Sequence, residues 1–181
     1  MTTLPEEVLA ALQFHIARAS LGPSSMRGAG STGVVGAGRT FLGDLDLGRF
    51  STSNERRFQM ELDRATDGLL RAFPRGARHW GLARKGLNIF LRECLYTVYV
   101  RDAHNLAVAE ELFEIPLDSL TGQALYEASK RSLPRWRTVR GLERSVSDAF
   151  QRVAAQVASE RGVARVHLDA VWWGKRTSGR G

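Results

Sequence analysis

The sequence predicts an all-α fold built as one compact helical domain over residues 1–181, and three observations carry that prediction. Apolar residues recur at helical spacing in segment after segment, no stretch alternates strictly between apolar and polar residues for more than a few positions, and capping residues stand where the helical stretches begin. The 181 residues, 43% hydrophobic and 25% charged, supply one real core and are too few for two ordinary domains. Internal repeats and heptads are absent.

Pro5 occupies a first-turn position before Glu6 and Glu7, and Val8, Leu9, Leu12 and Ile16 follow at helical spacing, which predicts a helix of about five turns ending near Gly22-Pro23. Residues 24–39 carry Gly28, Gly30, Gly33, Gly36 and Gly38 with little to bury, and a glycine-rich flexible loop is expected there. Within it, Gly33 to Thr40 matches the spacing of a phosphate loop with arginine at the lysine position. A true phosphate loop follows a buried strand, which the polar residues before this one do not suit, so nucleotide hydrolysis is set aside. Asn54 is placed to cap a helix carrying Phe58, Leu62, Ala65, Leu69 and Leu70, which ends before Pro74.

A central helix is expected from about Leu82 to Arg101. Leu87, Phe90, Leu91, Cys94 and Val98 gather on its apolar face, and Lys85, Asn88, Arg92, Tyr96 and Tyr99 on the polar one. A shorter helix is expected over Leu106 to Leu112. Asp118 caps the next, which runs to about Lys130; another spans Val146 to Glu160, bounded by Ser145 or Ser147 and by Gly162. The last begins around Val166 and ends near Gly174, leaving residues 175–181 as a polar tail.

The net charge of +7 and the isoelectric point near 10.4 favour an anionic partner. Distribution is more informative than the total. Between Arg71 and Arg101 lie seven basic residues against one acid, Glu93, and a second cluster runs through Lys130, Arg131, Arg135, Arg137, Arg140 and Arg144 with only Glu143 opposing it. Two such segments can clamp a phosphate backbone, or they can be a solvated basic surface. No apolar run approaches the length of a membrane span and the first residues lack the order of a secretory signal, so a cytoplasmic protein without membrane contact is expected. The lone Cys94 cannot form an internal disulfide and reads as a small buried hydrophobe. His15, His79, His104 and His167 are scattered without zinc or iron spacing, and no nucleophile elbow occurs. No metal or organic cofactor is expected.

Three segments resemble a known family. They are the basic turn leading into Lys85, in His79-Trp80-Gly81-Leu82-Ala83-Arg84-Lys85; Pro116-Leu117-Asp118; and His167-Leu168-Asp169-Ala170-Val171-Trp172-Trp173. Together they look like the helix-hairpin-helix DNA glycosylases, with the nearest likeness to the archaeal 8-oxoguanine branch, whose longer lysine-to-aspartate spacing suits the 33 residues between Lys85 and Asp118. The likeness covers roughly residues 80–176, and Ile89 stands where the family has an aromatic residue. No residue of the N-terminal half matches the family's base contacts.

The resemblance implies a bifunctional DNA glycosylase with AP lyase activity that excises an oxidised purine such as 8-oxoguanine through a lysine Schiff base. Lys85 would be the nucleophile, Asp118 the carboxylate that assists it, Asp169 the hydrogen-bond partner of the flipped purine, and Trp173 an aromatic wall beside it. Arg78, Gly81 and Arg84 would meet the DNA. Burial and the neighbouring Arg75, Arg78 and Arg84 are expected to lower the Lys85 pKa. The expected partner is double-stranded DNA with a flipped damaged base, bound by a monomer. Two other readings keep the helical fold: a DNA-binding module without chemistry, and an interaction protein whose basic face meets an acidic partner.

Overall fold

A computed structural model of the chain describes residues 4–29 and 32–177, with side chains described as far as Trp172. Among these residues every regular element is helical. The α-helices are α1 (Glu6–Ser20), α2 (Val34–Gly43), α3 (Glu55–Ala72), α4 (Trp80–Tyr96), α5 (Val98–Ala103), α6 (Ser119–Ala128), α7 (Arg144–Ser159) and α8 (Leu168–Thr177). Short 3-10 turns occupy Leu47–Phe50, Arg75–Ala77, Leu106–Leu112 and Arg165–His167. Two of the expected caps are made: Asn54 accepts from the Arg57 amide at 2.9 Å, and Asp118 Oδ1 accepts from Leu120 and Thr121, both at 2.9 Å.

The structure corrects the reading of residues 24–39 as a flexible loop. Val34–Gly43 is helix α2, and the turns before it seat Met26 and Ala29 in the core. The glycines were read as slack, but Gly38 serves close packing. A β-carbon there would lie 2.6 Å from Leu21 Cδ1 and 3.1 Å from the Phe73 ring. The stretch with phosphate-loop spacing therefore lies largely inside a helix that follows a turn.

The expected helix over 82–101 is two helices. Thr97 leaves helical geometry, at φ −88° and ψ 101°, while its hydroxyl and its amide both donate to the Glu93 carbonyl, at 2.8 and 3.0 Å. A hydroxyl bonded back to the preceding turn bends a helix, and here the chain turns. As a result Val98 is exposed and Val100 takes the buried place. Asn88, expected on the polar face, is buried and donates to Glu114 Oε2 at 2.9 Å. Two ends differ as well. Helix α7 starts at Arg144, which puts Ser147 inside it and buried, and α8 continues past Gly174 to Thr177.

The core is two apolar clusters. One lies among α1 to α5 and contains Leu21, Leu62, Leu69, Phe73, Leu87 and Phe90; the other joins α6, α7 and residues 115–117 around Phe150, Leu125 and Leu168. A charged knot ties them together. Arg84, only 2% exposed, donates to both oxygens of Glu114 at 2.8 and 2.9 Å, to Asp63 at 3.0 Å and to the Thr66 hydroxyl at 2.9 Å. Arg144 pairs with the other Asp63 oxygen, and the Arg84 and Arg144 guanidinium groups lie 5.4 and 5.6 Å from the centre of the Trp80 ring.

Burial opposes ionisation of Glu114, but Arg84, Arg165 and the Asn88 amide outweigh it and hold the carboxyl below the ordinary glutamate range. A depressed carboxylate contributes stability that is present above its unfolded pKa and lost as pH falls through the folded value. Removing one member of a buried pair costs about 3–5 kcal/mol, so Glu114→Gln is expected to lower urea stability by that order at neutral pH and by less in acid. Equal losses at both pH values would contradict this account. Gly81→Ala tests the packing between α4 and the chain before α7, because a β-carbon would lie 2.2 Å from the Val139 carbonyl and 2.6 Å from Leu142 Cβ. Thermal unfolding should register a loss of about 1–3 kcal/mol.

Candidate active site

Between the two apolar clusters runs a cleft of about 480 Å³. One wall is a stripe of α4: Lys85, Ile89, Arg92, Glu93 and Tyr96. These residues recur at helical spacing, so the stripe extends about 16 Å along the helix axis. The opposite wall brings Pro116 and Asp118 from the approach to α6 and Asp169 and Ala170 from the first turn of α8. The end of α1 and the turn after it, from Ala19 to Ser25, form the lip.

Lys85 is half-buried in this cleft, and its Nζ donates to the Ser25 carbonyl at 3.1 Å. Burial pushes its amine below the ordinary lysine value, and the Asp118 carboxylate opposes the shift. The neighbouring arginines expected to contribute face elsewhere. Arg84 is turned to Glu114 and Asp63, and Arg78 donates to the Phe73 and Arg71 carbonyls at 3.0 and 2.9 Å, closing the C-terminus of α3. Asp118 Oδ1 carries both cap bonds, which fixes the carboxylate and leaves Oδ2 uncommitted among the described residues.

Asp169 is buried, 4% exposed, and Arg92 Nη1 donates to its Oδ2. Arg92 also holds Glu93 Oε1, at 2.6 Å from Nη2, so one guanidinium sets two acids along the cleft. The side chain of Trp173 lies outside the described residues.

The three residues expected to meet DNA have different surroundings. Arg78 is exposed. Gly81 is buried against Val139 and Leu142, and Arg84 is enclosed in the charged knot, which corrects its assignment as a surface phosphate contact. A guanidinium with only 2% exposure that spends four of its five N–H donors on two carboxylates and a hydroxyl is not placed to meet DNA. The two basic segments do adjoin, since Arg140 Nε donates to His79 Nε2 at 3.2 Å and Arg144 lies over Trp80. Arg75, Arg78, Arg135, Arg137 and Arg140 are exposed on the chain around that junction.

Sequence reasoning missed the Ser25 carbonyl, because a backbone acceptor leaves no trace in residue type. It also missed the role of Arg92 as the partner of Asp169. A signal for Arg92 and Tyr96 existed, since helical spacing alone puts both on the Lys85 face. Another lay in the composition: among 26 basic residues only Lys85, Lys130 and Lys175 are lysines, and Lys85 is the one within a strongly patterned helix. No family model, curated protein or solved structure matches this chain.

Asn caps a helix as well as Asp does, so Asp118→Asn should leave α6 intact while removing the charge that keeps the amine protonated. The expected outcome is reductive methylation of Lys85 at neutral pH about threefold faster or more than in the wild type, with Lys130 as internal standard by mass spectrometry. An unchanged Lys85 rate would show that Asp118 does not govern the amine.

Proposed function

We propose that this protein is a bifunctional DNA glycosylase and AP lyase of helix-hairpin-helix type that excises an oxidised purine of the 8-oxoguanine kind. The observation that carries the reading is the convergence of Lys85, Asp118 and Asp169 on one cleft, although they come from three separate segments. A cleft of about 480 Å³ is in the range of sites that enclose a small heteroaromatic ligand. The turn Arg75–Ala77 before α4 would serve as the hairpin that receives phosphate, with the exposed arginines around it.

In this reading the neutral Lys85 amine attacks C1′ of the flipped nucleotide, the bond from C1′ to the base breaks, and the base leaves with the electron pair. The proton released from the amine passes to the departing base, a transfer for which the fixed Asp118 carboxylate is suitably placed. Opening of the sugar gives an iminium on Lys85. Loss of a C2′ proton then expels the 3′ phosphate, and water releases the enzyme. Asp169, oriented by Arg92, would accept from the purine's polar edge. Burial that leaves more of Lys85 neutral favours the first step, and the Ser25 carbonyl orients the amine in the free protein.

Borohydride trapping on a labelled duplex bearing 8-oxoguanine, beside abasic and undamaged duplexes, tests the reading. Wild-type protein should give a covalent adduct on the first two and none on the third. Lys85→Gln should reduce trapping by about a hundredfold or more while changing duplex affinity by no more than about threefold. An adduct on the abasic duplex alone would retain the lyase and reject this base. Binding without any adduct would make the protein a DNA-binding module.

A further inference from the structure

At the end of the α4 stripe away from Lys85, the Tyr96 hydroxyl lies 2.9 Å from His167 Nδ1, and His167 Nε2 lies 2.7 Å from Glu110 Oε1. The phenol and imidazole rings are nearly parallel, 12° apart with centroids at 5.6 Å. Tyr96 lines the cleft, whereas His167 and Glu110 stand behind it, on the 3-10 turns Arg165–His167 and Leu106–Leu112. The turn that carries His167 is itself fixed. Arg165 donates to the Phe113 and Leu112 carbonyls at 3.0 and 2.9 Å, and Asp169, two residues on, is held by Arg92.

The chain of bonds has a direction. A carboxylate only accepts, so Glu110 requires the proton of a neutral His167 to be on Nε2; Nδ1 is then an acceptor, and the phenol must donate to it. With its one proton spent on His167, Tyr96 has only lone pairs to present to the cleft. We propose that Tyr96 is a specificity-determining residue that accepts a hydrogen bond from an N–H on the edge of the bound base, held in that polarity by His167 and Glu110. The proposal rests on the nucleobase reading given above and names a contact within it.

Protonation of His167 reverses the polarity. Both ring nitrogens then donate, Nδ1–H occupies the phenol oxygen, and the Tyr96 proton is free to point into the cleft, where it meets the base N–H as donor against donor. The charged groups around the phenol are Arg92 and Glu93 on its own helix and Glu110 behind it. Burial raises the phenol pKa, Arg92 opposes this, and Glu93 and Glu110 add to it, so the phenol keeps its proton through the neutral range. The polarity of the cleft at this end therefore follows the charge of one imidazole.

Three measurements test the contact. Single-turnover excision from an 8-oxoguanine duplex is compared with trapping on an abasic duplex, which has no base to read. Tyr96→Phe should slow excision by about tenfold and leave abasic trapping within about twofold. His167→Gln, which removes the ring that fixes the phenol's direction, should likewise slow excision and leave abasic trapping within about twofold. Equal slowing of both reactions overturns the proposal. Long-range proton–nitrogen NMR of the wild-type protein gives an arm independent of activity. Nε2–H on His167 at neutral pH, with an Nδ1 shift that moves in Tyr96→Phe, is the expected result, and a proton on Nδ1 overturns the proposal. If the wild type excises no base, the functional reading fails, and the NMR arm still decides the polarity of Tyr96.

Discussion

The buried pair between Arg84 and Glu114 is the constraint on which the placement of the site depends. Arg84 precedes Lys85 on α4, and Glu114 precedes Asp118 by one short extended stretch, so a bidentate ion pair fixes the two chemical groups at one remove. Such a pair is costly to bury and gives little net stability over an apolar substitute. Its contribution is geometric. It sets the rotation of α4 about its axis, and with it the direction in which the stripe from Lys85 to Tyr96 lines the cleft. Asp63 and Asn88 add further bonds to the knot.

Charge is partitioned across the molecule in a way the net value conceals. Outside, exposed arginines dominate the turn before α4 and the chain between α6 and α7. Inside the cleft the balance is different: Lys85 and Arg92 face Asp118, Asp169 and Glu93. A basic exterior suits a polyanion held by its backbone, and an interior with charges of both signs suits a neutral heterocycle with donors and acceptors on its edge. The proposed reaction needs both.

Much of the helical fold was legible because its signals are local. Asn54 and Asp118 cap as expected, and the apolar spacing of α3 marks its buried face, whereas in α1 Ile16 is buried but Val8 is exposed. The failures have physical causes that residue type does not carry. Gly38 could be read as slack or as clearance for Leu21 and Phe73, and only the neighbouring chain decides between them. Thr97 ends α4 through a bond to its own preceding turn, which a hydropathy pattern does not register. Arg84 and Asn88 looked like surface residues because their partner, Glu114, lies in a segment with no pattern of its own. For the candidate site, Lys85, Asp118 and Asp169 were found through short motifs, while Arg92 and the Ser25 carbonyl became apparent only once the segments were brought together.

The bond from Lys85 to the Ser25 carbonyl joins the reactivity of one side chain to the folding of a distant stretch of chain. A newly made or partly opened chain would carry an ordinary hydrated lysine, mostly protonated and slower to react with aldehydes and sugars. Only when the turn after α1 closes over the cleft does the amine lose water and become a better nucleophile. The hydration of this amine is thus tied to a distant turn: it is lost where that turn packs over Lys85 and regained wherever the turn comes loose.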